Sequence, residues 1–447
     1  MSSGLPFGFG APDPDRPGST GGPGSPFDMS SLGAMLQQLG QALQQSGSDT
    51  SGAAVNWQLV ADAARQALTA APGDASIDQQ ASDHQEGDQQ ALEWLLQSSR
   101  IADLWLDEAT TFPASGTSPA AWSRQDWVDR TLPSWRRYVE PLAERLINVV
   151  GSTTVPDLGQ LSADDLQAAL PEQFRQLLPE GVTPQMMSML QPMLGMMRQL
   201  SVAAFSMQLG QGLGALAREV VSAGDIGIPL QEAAQVAVLP ANVAVFGEGL
   251  GIPEAEVRLY VTLRESAHQR LFAHVPWLRG RLAAAIEEVA SGVHVDPERL
   301  QQAVAEVDMS DPAALQQLVS SGLLQPEQTP QQRAALERLQ TLLALVEGWV
   351  EDVTGIAMAG RMSSGAALRE MMARRRATGG PAERAFANLV GLELRPKAVR
   401  EAANLFAAVR ELRSPQVRDG LWAHPDLLPD TADLADPLDF VERLADG

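Results

Sequence analysis

The sequence contains no cysteine. This absence excludes disulfide bonds, cysteine-ligated zinc or iron–sulfur centres and thiol nucleophiles, so histidine, aspartate and glutamate are the only strong metal ligands left. Long apolar runs are also missing, because nowhere do about 18 uncharged apolar residues follow one another. Residues 1–9 lack the basic segment and apolar segment of a secretory signal peptide. We therefore expect a soluble cytoplasmic protein with no membrane span.

Basic residues are scarce, since 32 lysines and arginines stand against 55 aspartates and glutamates, which gives a net charge of −23. Proteins bind nucleic acids by neutralising phosphates with lysine and arginine. A chain this acidic repels a polyanion, so the composition argues against a nucleic-acid partner. Hydrophobic residues make up 45% of the chain, which is enough for a sizeable core.

The N-terminal part of the chain differs in composition from the rest. Residues 1–28 are rich in glycine, proline and serine, and cannot bury enough apolar surface to offset the loss of chain entropy. Residues 29–48 repeat methionine and leucine at helical spacing, which is typical of a short amphipathic helix. We therefore predict a disordered tail over residues 1–50, with that helix inside it, and a helical body over residues 51–447.

Helix-forming residues dominate the predicted body, and proline and glycine mark its loops. Strand signals are few. The main candidate is a pair of short apolar runs, 235–239 and 243–246, which flank a Pro-Ala-Asn sequence and predict a small β-hairpin. The predicted fold class is therefore mainly α, with at most this one hairpin.

One predicted helix, about 253–275, has charged residues within its apolar stripe. It must end before Pro276, and at 100° per residue Arg264 and His268 fall at the centre of the stripe, with Glu265 on its shoulder. The polar residues on the opposite side are Arg258, Thr262, Ser266, Gln269 and Arg270. Burying a guanidinium costs several kcal/mol unless a carboxylate pairs with it. The pattern therefore predicts an acidic partner from elsewhere in the chain.

A second predicted helix, about 331–355, offers such a partner. Its apolar stripe has Glu347 near the centre, and Glu351 follows one turn later. Two helices that each bury a polar residue in mid-stripe most simply bury them against each other. We therefore predict that Arg264 is buried and forms a salt bridge with Glu347 or Glu351.

Residues 264–268, Arg-Glu-Ser-Ala-His, have the frame of the zincin motif His-Glu-x-x-His, with arginine at the position of the first histidine. The longer strings LYVTLRESAHQRLFAHVPWLRGRL, LVEGWVEDV and LWAHPDLLPDTADLADP resemble an actinobacterial family of zincin-like proteins, the zinc-dependent metalloproteases or hydrolases. The resemblance covers most of residues 55–440. It implies a helical zincin-like fold, a zinc cofactor and hydrolytic activity.

The same resemblance implies a role for three residues. Glu265 matches the general base, His268 the second metal ligand, and Glu347 the carboxylate ligand that a following helix supplies in glutamate-type zincins. Arg264 departs from the motif, because arginine stays protonated in proteins and cannot bind zinc. We therefore expect a weakly active or inactive hydrolase; the alternative is a non-catalytic pseudoenzyme that binds a peptide or protein.

The residues themselves leave three interpretations of this site open. Arg264, Glu265, His268 and Glu347 fit a buried network of ion pairs and hydrogen bonds best, a metal site with altered ligands second, and a site of another chemistry third. His274 stands six residues after His268, which is the spacing of a third ligand in some zincins. The segment between the two histidines, however, lacks the glycine that such a site needs. A role for His274 at the end of the helix is favoured.

Two further runs are ambiguous. The methionine-rich run 186–197 is typical of core packing or of a pliable partner groove. The arginines at 369 and 374–376 could bind an anionic partner, although a solvated, partly disordered loop is favoured for them.

Overall fold

The structure is a computed structural model that describes residues 53–69, 81–154, 184–291, 329–377 and 398–446. All of these except Ala53 belong to one unit, Ala54–Gly447. The predicted disordered tail and its short helix lie outside the described residues. The division of the chain into tail and body therefore stays a prediction.

The described part of the chain is mainly helical, which confirms the predicted fold class. The helices in the first half are α1 (Trp57–Thr69), α2 (Ala81–Ala109), α3 (Arg124–Thr154), α4 (Pro184–Glu219), α5 (Pro240–Gly247), α6 (Glu254–His274) and α7 (Pro276–Ser291). Those in the second half are α8 (Pro330–Met358), α9 (Gly365–Ala377), α10 (Val399–Leu412), α11 (Pro415–Gly420), α12 (Thr431–Ala435) and α13 (Pro437–Asp446), with two 3-10 turns at Leu421–Ala423 and Pro425–Leu427.

A small sheet lies beside the helices. Strands β1 (Ala120–Ala121) and β2 (Ala237–Val238) pair in parallel, so that Ala120 lies opposite Ala237. On its other side β2 pairs with the segment 221–223 through an antiparallel bridge. Strand β2 is therefore the middle of this layer.

The predicted β-hairpin is wrong. Its first run, 235–239, does contain β2, but its second run, 243–246, belongs to helix α5. Pro240 begins that helix, where its missing N–H group needs no partner. Asn242, which the sequence placed in a turn, donates its side-chain amide to the carbonyls of Ala217 and Val220 at the end of α4.

Helix α6 runs through the middle of the molecule. Glu254 and Glu256 lie in its first turn, near the positive end of the helix dipole, and the helix ends at His274, two residues before Pro276. Every residue from Tyr260 to Leu271 is buried, because α2, α7, α8 and β2 all pack against this helix. The middle of the helix is therefore enclosed on all sides.

The sequence placed Thr262, Ser266, Gln269 and Arg270 opposite the buried stripe, yet all four are buried as well. A helical wheel identifies the most apolar face of one helix. It contains no information on polar groups of other elements that can pair with the remaining faces. Arg270 is an example, since the carboxylates of Asp103 and Asp107 on α2 lie 3.1 and 2.7 Å from its guanidinium.

Helix α8 brings the second set of site residues. The side chain of Thr329 caps its start by accepting a hydrogen bond from the Gln332 N–H, and Pro330 occupies the first helical position. A short turn after α8 contains Gly360, whose φ of 71° lies in the left-handed region that favours glycine. This turn leads into α9, which lies against α6.

Two sequence predictions are addressed only in part. The methionine-rich run lies in α4, but most of its side chains are outside the described part, so their packing stays a prediction. Among the described helices, none combines the length and apolarity that a membrane crossing requires.

Candidate functional site

Arg264 on α6 forms two ion pairs with carboxylates of α8. Its Nη2 donates to Glu347 Oε2 at 2.8 Å and its Nη1 donates to Glu351 Oε2 at 2.9 Å. The Arg264 side chain is only 4% exposed. The predicted burial of Arg264 and its pairing with α8 are therefore confirmed.

Glu347 lies at the centre of the site. Its Oε2 accepts hydrogen bonds from Arg264 and from Arg376 on α9, and its Oε1 lies 3.0 Å from His268 Nε2. Burial alone would raise the pKa of this carboxyl, but Arg376, His268 and Arg264 outweigh burial and hold the pKa below its usual range. Glu347 is therefore an ionised carboxylate with both oxygens in use.

His268 has a fixed ring orientation. Its Nδ1 lies 3.0 Å from the main-chain carbonyl oxygen of Arg264, which can only accept, so Nδ1 carries a proton and donates it. Its Nε2 then faces Glu347, which is the orientation that metal-binding histidines adopt toward their ion. A carboxylate and an unprotonated Nε2 both only accept, so the 3.0 Å contact requires a proton between them.

Glu265 lies on a different face of α6 from Arg264. Its Oε2 accepts from the Gly224 N–H at 2.9 Å, and its Oε1 accepts from Gln269 Nε2 at 2.8 Å. Burial raises the pKa of the Glu265 carboxyl, and the charge of His268 and the hydrogen bonds from Ser222, Gly224 and Gln269 offset only part of that rise. The sequence placed Glu265 on the shoulder of the apolar stripe, but the residue is more buried than this position predicts, since it is 0% exposed.

A turn between Gly224 and Gly227 covers the site. A Cβ atom on Gly224 would lie 2.8 Å from Glu265 Oε2 and 3.0 Å from the His268 Cβ atom. Gly227 has a φ of 72°, and a Cβ atom there would lie 3.1 Å from Glu347 Oε1. The backbone of this turn approaches the carboxylates too closely for other residues. Sequence reasoning missed the turn, and its only signal is a short Gly-x-x-Gly spacing.

The predicted solvated loop of arginines is wrong, because these residues lie in helix α9. Leu368 and Met372 are buried and attach this helix to the core. Arg369 Nε donates to Glu351 Oε1 at 2.6 Å, Arg375 Nη1 donates to Asp225 Oδ2 at 2.9 Å, and Arg376 pairs with Glu347.

Arg374 and Arg369 have the exposed character that the sequence predicted, since their side chains are 77% and 44% exposed. Arg374 pairs with Glu370 on the same helix. Arg369, Arg375 and Arg376 contact carboxylates of the site, although the sequence analysis favoured a loop for them. The signal that could have identified them is the placement of Leu368 and Met372 four residues apart, which puts both on one helix face.

His274 lies at the end of α6, as predicted. Its Nδ1 lies 2.8 Å from the Arg270 carbonyl oxygen, and its ring stacks on Phe112 with 5.6 Å between ring centroids. His274 therefore caps the helix and contacts an aromatic ring.

The donor set of this site does not fit a zinc ion. A catalytic zinc has three protein ligands, and in the ranges that the structure describes no three histidine, aspartate or glutamate side chains converge in a way that could hold a metal. His268 Nε2 and Glu347 supply two donors. The position of the third is taken by Arg264, whose guanidinium is bonded to Glu347 and Glu351.

A cavity of about 400 Å³ opens beside the C-terminal half of α6. Its walls include Gln269, Phe272 and Ala273 of α6, Ser115 and Thr117 from the segment before β1, and Gln231 from the segment before β2. Gln269 thus lines the cavity and also bonds to Glu265. The cavity is therefore connected to the site through one side chain.

Comparisons with known proteins show which family and which fold this chain resembles. The sequence matches the family described as zincin-like metallopeptidase over residues 55–441. No curated protein matches it. Among solved structures, a candidate hydrolase with a novel fold from Chloroflexus aurantiacus is similar, with a TM-score of 0.56 and 17% sequence identity. The match covers 88% of this chain and 99% of that chain. This similarity indicates a shared fold alone. Because the family match spans most of the sequence, the chain belongs to the zincin-like metallopeptidase family.

Proposed function

We propose that this chain is a non-hydrolytic member of its family that binds a peptide or protein segment. The observation that carries the proposal is the position of Arg264, which is buried and bonded to Glu347 and Glu351. A zinc ion at this position would have to displace the guanidinium and leave it without a carboxylate. Removing the partner of a buried charge typically costs about 3–5 kcal/mol.

The cavity beside Gln269 supports the binding part of the proposal. Ligand pockets typically occupy about 300–1,000 Å³, and this cavity of about 400 Å³ lies within that range. Its walls combine apolar groups such as Phe272 with amides and hydroxyls such as Gln231 and Thr117. The walls also include the charged side chains of Glu232 and Arg279, so apolar, hydrogen-bonding and charged groups are all available to the main chain and side chains of a peptide.

Zinc-dependent hydrolysis is the competing candidate, with Glu265 as general base and His268 and Glu347 as metal ligands. One observation favours it, because His268 Nε2 and Glu347 Oε1 lie 3.0 Å apart and could serve as neighbouring ligands. The fully hydrogen-bonded state of Glu265 and the guanidinium of Arg264 count against it.

Cleavage of fluorescein-labelled casein, with and without added zinc, separates the two candidates. The matched variant is Glu265→Gln, which keeps the size of the side chain and removes the proposed base. We expect the unmodified protein to cleave no faster than this variant at any zinc concentration. Zinc-dependent cleavage that disappears in Glu265→Gln would establish hydrolysis instead.

Retention on an array of capped peptides tests the binding proposal. Ala273→Trp fills the cavity, whereas Ala432→Trp adds the same bulk at an exposed position on α12. We expect a subset of peptides to be retained by the unmodified protein and by Ala432→Trp, and to be lost with Ala273→Trp. Equal retention by the two variants, or no retention by the unmodified protein, would contradict the proposal.

A further inference from the structure

One oxygen of Glu347 has two guanidinium partners that come from different helices. Arg264 of α6 donates to Oε2 at 2.8 Å, and Arg376 of α9 donates to the same atom. We infer that these two arginines together supply the double positive charge that a divalent metal ion would supply at Glu347, and that this pairing fastens α9 over the site. The inference rests on the proposed absence of a metal and assigns a role to Arg376 and α9.

The carboxylates around Glu347 are fully offset by positive charges without a metal ion. Four guanidinium groups face the site, from Arg264, Arg369, Arg375 and Arg376. The carboxyl groups that face it are those of Asp225, Glu265, Glu347 and Glu351. The proton that the contact between His268 and Glu347 requires adds one more positive charge. The set therefore carries one positive charge when Glu265 is ionised and two when Glu265 is protonated. A zinc ion would add two more positive charges to a site that is mostly buried.

Arg264 alone cannot balance the carboxylates of α8. It divides its two terminal nitrogens between Glu347 and Glu351, which leaves each carboxylate only part of one charge. The second oxygen of Glu351 is bonded to Arg369, and Glu347 receives its additional charge from Arg376. Arginines from two helices, α6 and α9, are therefore needed to supply the positive charge that one divalent metal ion would supply.

Arg376 and the nearby Arg374 differ in the exposure and in the partner of their side chains. Arg376 is 18% exposed and reaches the buried Glu347, whereas Arg374 is 77% exposed and pairs with Glu370 of its own helix. Both residues lie in the last turn of α9 and carry the same charge. Arg374 is thus a matched control for the loss of one arginine from α9.

The inference predicts that two arginines must be removed before zinc can bind. Arg264→His creates a histidine pair four residues apart with His268, but it leaves Arg376 on Glu347. We would measure zinc per chain by elemental analysis, after incubation with zinc and removal of the free ion, in Arg264→His, Arg264→His/Arg376→Gln and Arg264→His/Arg374→Gln. We expect the Arg376 double variant to hold at least about fivefold more zinc than the other two.

Two results would overturn the inference. One is near-stoichiometric zinc in Arg264→His alone. The other is a folded Arg264→His/Arg376→Gln variant that holds no more zinc than the Arg374 control. Zinc in the unmodified protein is a separate measurement, and stoichiometric zinc there would refute the proposed function itself.

Hydrogen exchange of residues 365–377 keeps the test decisive if the double variant does not fold. In the otherwise unmodified protein, Arg376→Gln should speed the exchange of this segment at least about tenfold relative to Arg374→Gln, because α9 loses its attachment to Glu347. Equal exchange in the two single variants would show that the pairing does not fasten α9.

Discussion

Arg264 and Glu347 form a buried ion pair between α6 and α8, with 2.8 Å between Arg264 Nη2 and Glu347 Oε2. The two side chains are 4% and 6% exposed, so water screens this pair very little. Arg264 stands where the zincin motif has its first histidine, and the family resemblance implies a carboxylate ligand at Glu347. An ion pair thus connects two positions for which the resemblance implies metal ligands.

Removal of Glu347 should therefore strongly destabilise the fold. Glu347→Ala leaves Arg264, Arg376 and His268 facing a buried gap, and we expect the free energy of unfolding in urea to fall by about 3–5 kcal/mol. Glu370→Ala is the matched control, since it breaks an exposed pair with Arg374 on α9 and should cost less than about 1 kcal/mol. Equal losses in the two variants would contradict the central position of Glu347.

The lowered pKa of Glu347 predicts a pH dependence of stability. Its pKa in the folded protein lies below the ordinary value of 4.5, so its contribution is fully present above about pH 4.5 and is lost as the pH falls toward the folded value. Stability between pH 6 and pH 3 should therefore fall more steeply in the unmodified protein than in Glu347→Gln. Other carboxyls titrate in both proteins, so parallel curves would show that Glu347 is not held in its ionised form.

Gly224→Ala should destabilise the turn that covers the site. The new methyl group would lie 2.8 Å from Glu265 Oε2, and we expect a loss of about 1–3 kcal/mol, as is typical of overpacking. Gly280→Ala on α7 is the control, because nothing lies within 4 Å of its added methyl group. A helical alanine there should leave stability unchanged or raise it by about 1 kcal/mol. A melting temperature of Gly224→Ala equal to that of the unmodified protein would show that the turn does not pack closely on Glu265.

The sequence allowed the pairing of α6 with α8 to be predicted, because a guanidinium in an apolar stripe requires a carboxylate and Glu347 occupied the same position in the other helix. The family resemblance is also confirmed at the level of zincin-like metallopeptidases. The roles of Glu265, His268 and Glu347 as base and ligands stay predictions.

The remaining parts of the site depend on contacts that no local pattern contains. Helix α9 looked like a loop because three consecutive arginines stand shortly before Gly379 and Gly380 in the sequence, and only its docking through Leu368 and Met372 explains its order. The full burial of α6 depends on polar groups from other elements, such as Asp103 and Asp107 for Arg270. The hairpin prediction also failed because of tertiary contacts. The hydrogen bonds of the Asn242 side chain to the end of α4 hold residues 240–247 as helix α5.

Zinc content of the unmodified protein tests most directly whether guanidinium groups have replaced the metal. The full chain would be purified without chelators, incubated with excess zinc, freed of unbound ion and examined by elemental analysis. We expect less than about 0.2 zinc per chain, because two protein ligands and two adjacent arginines do not hold the ion. A value near one zinc per chain would contradict the account.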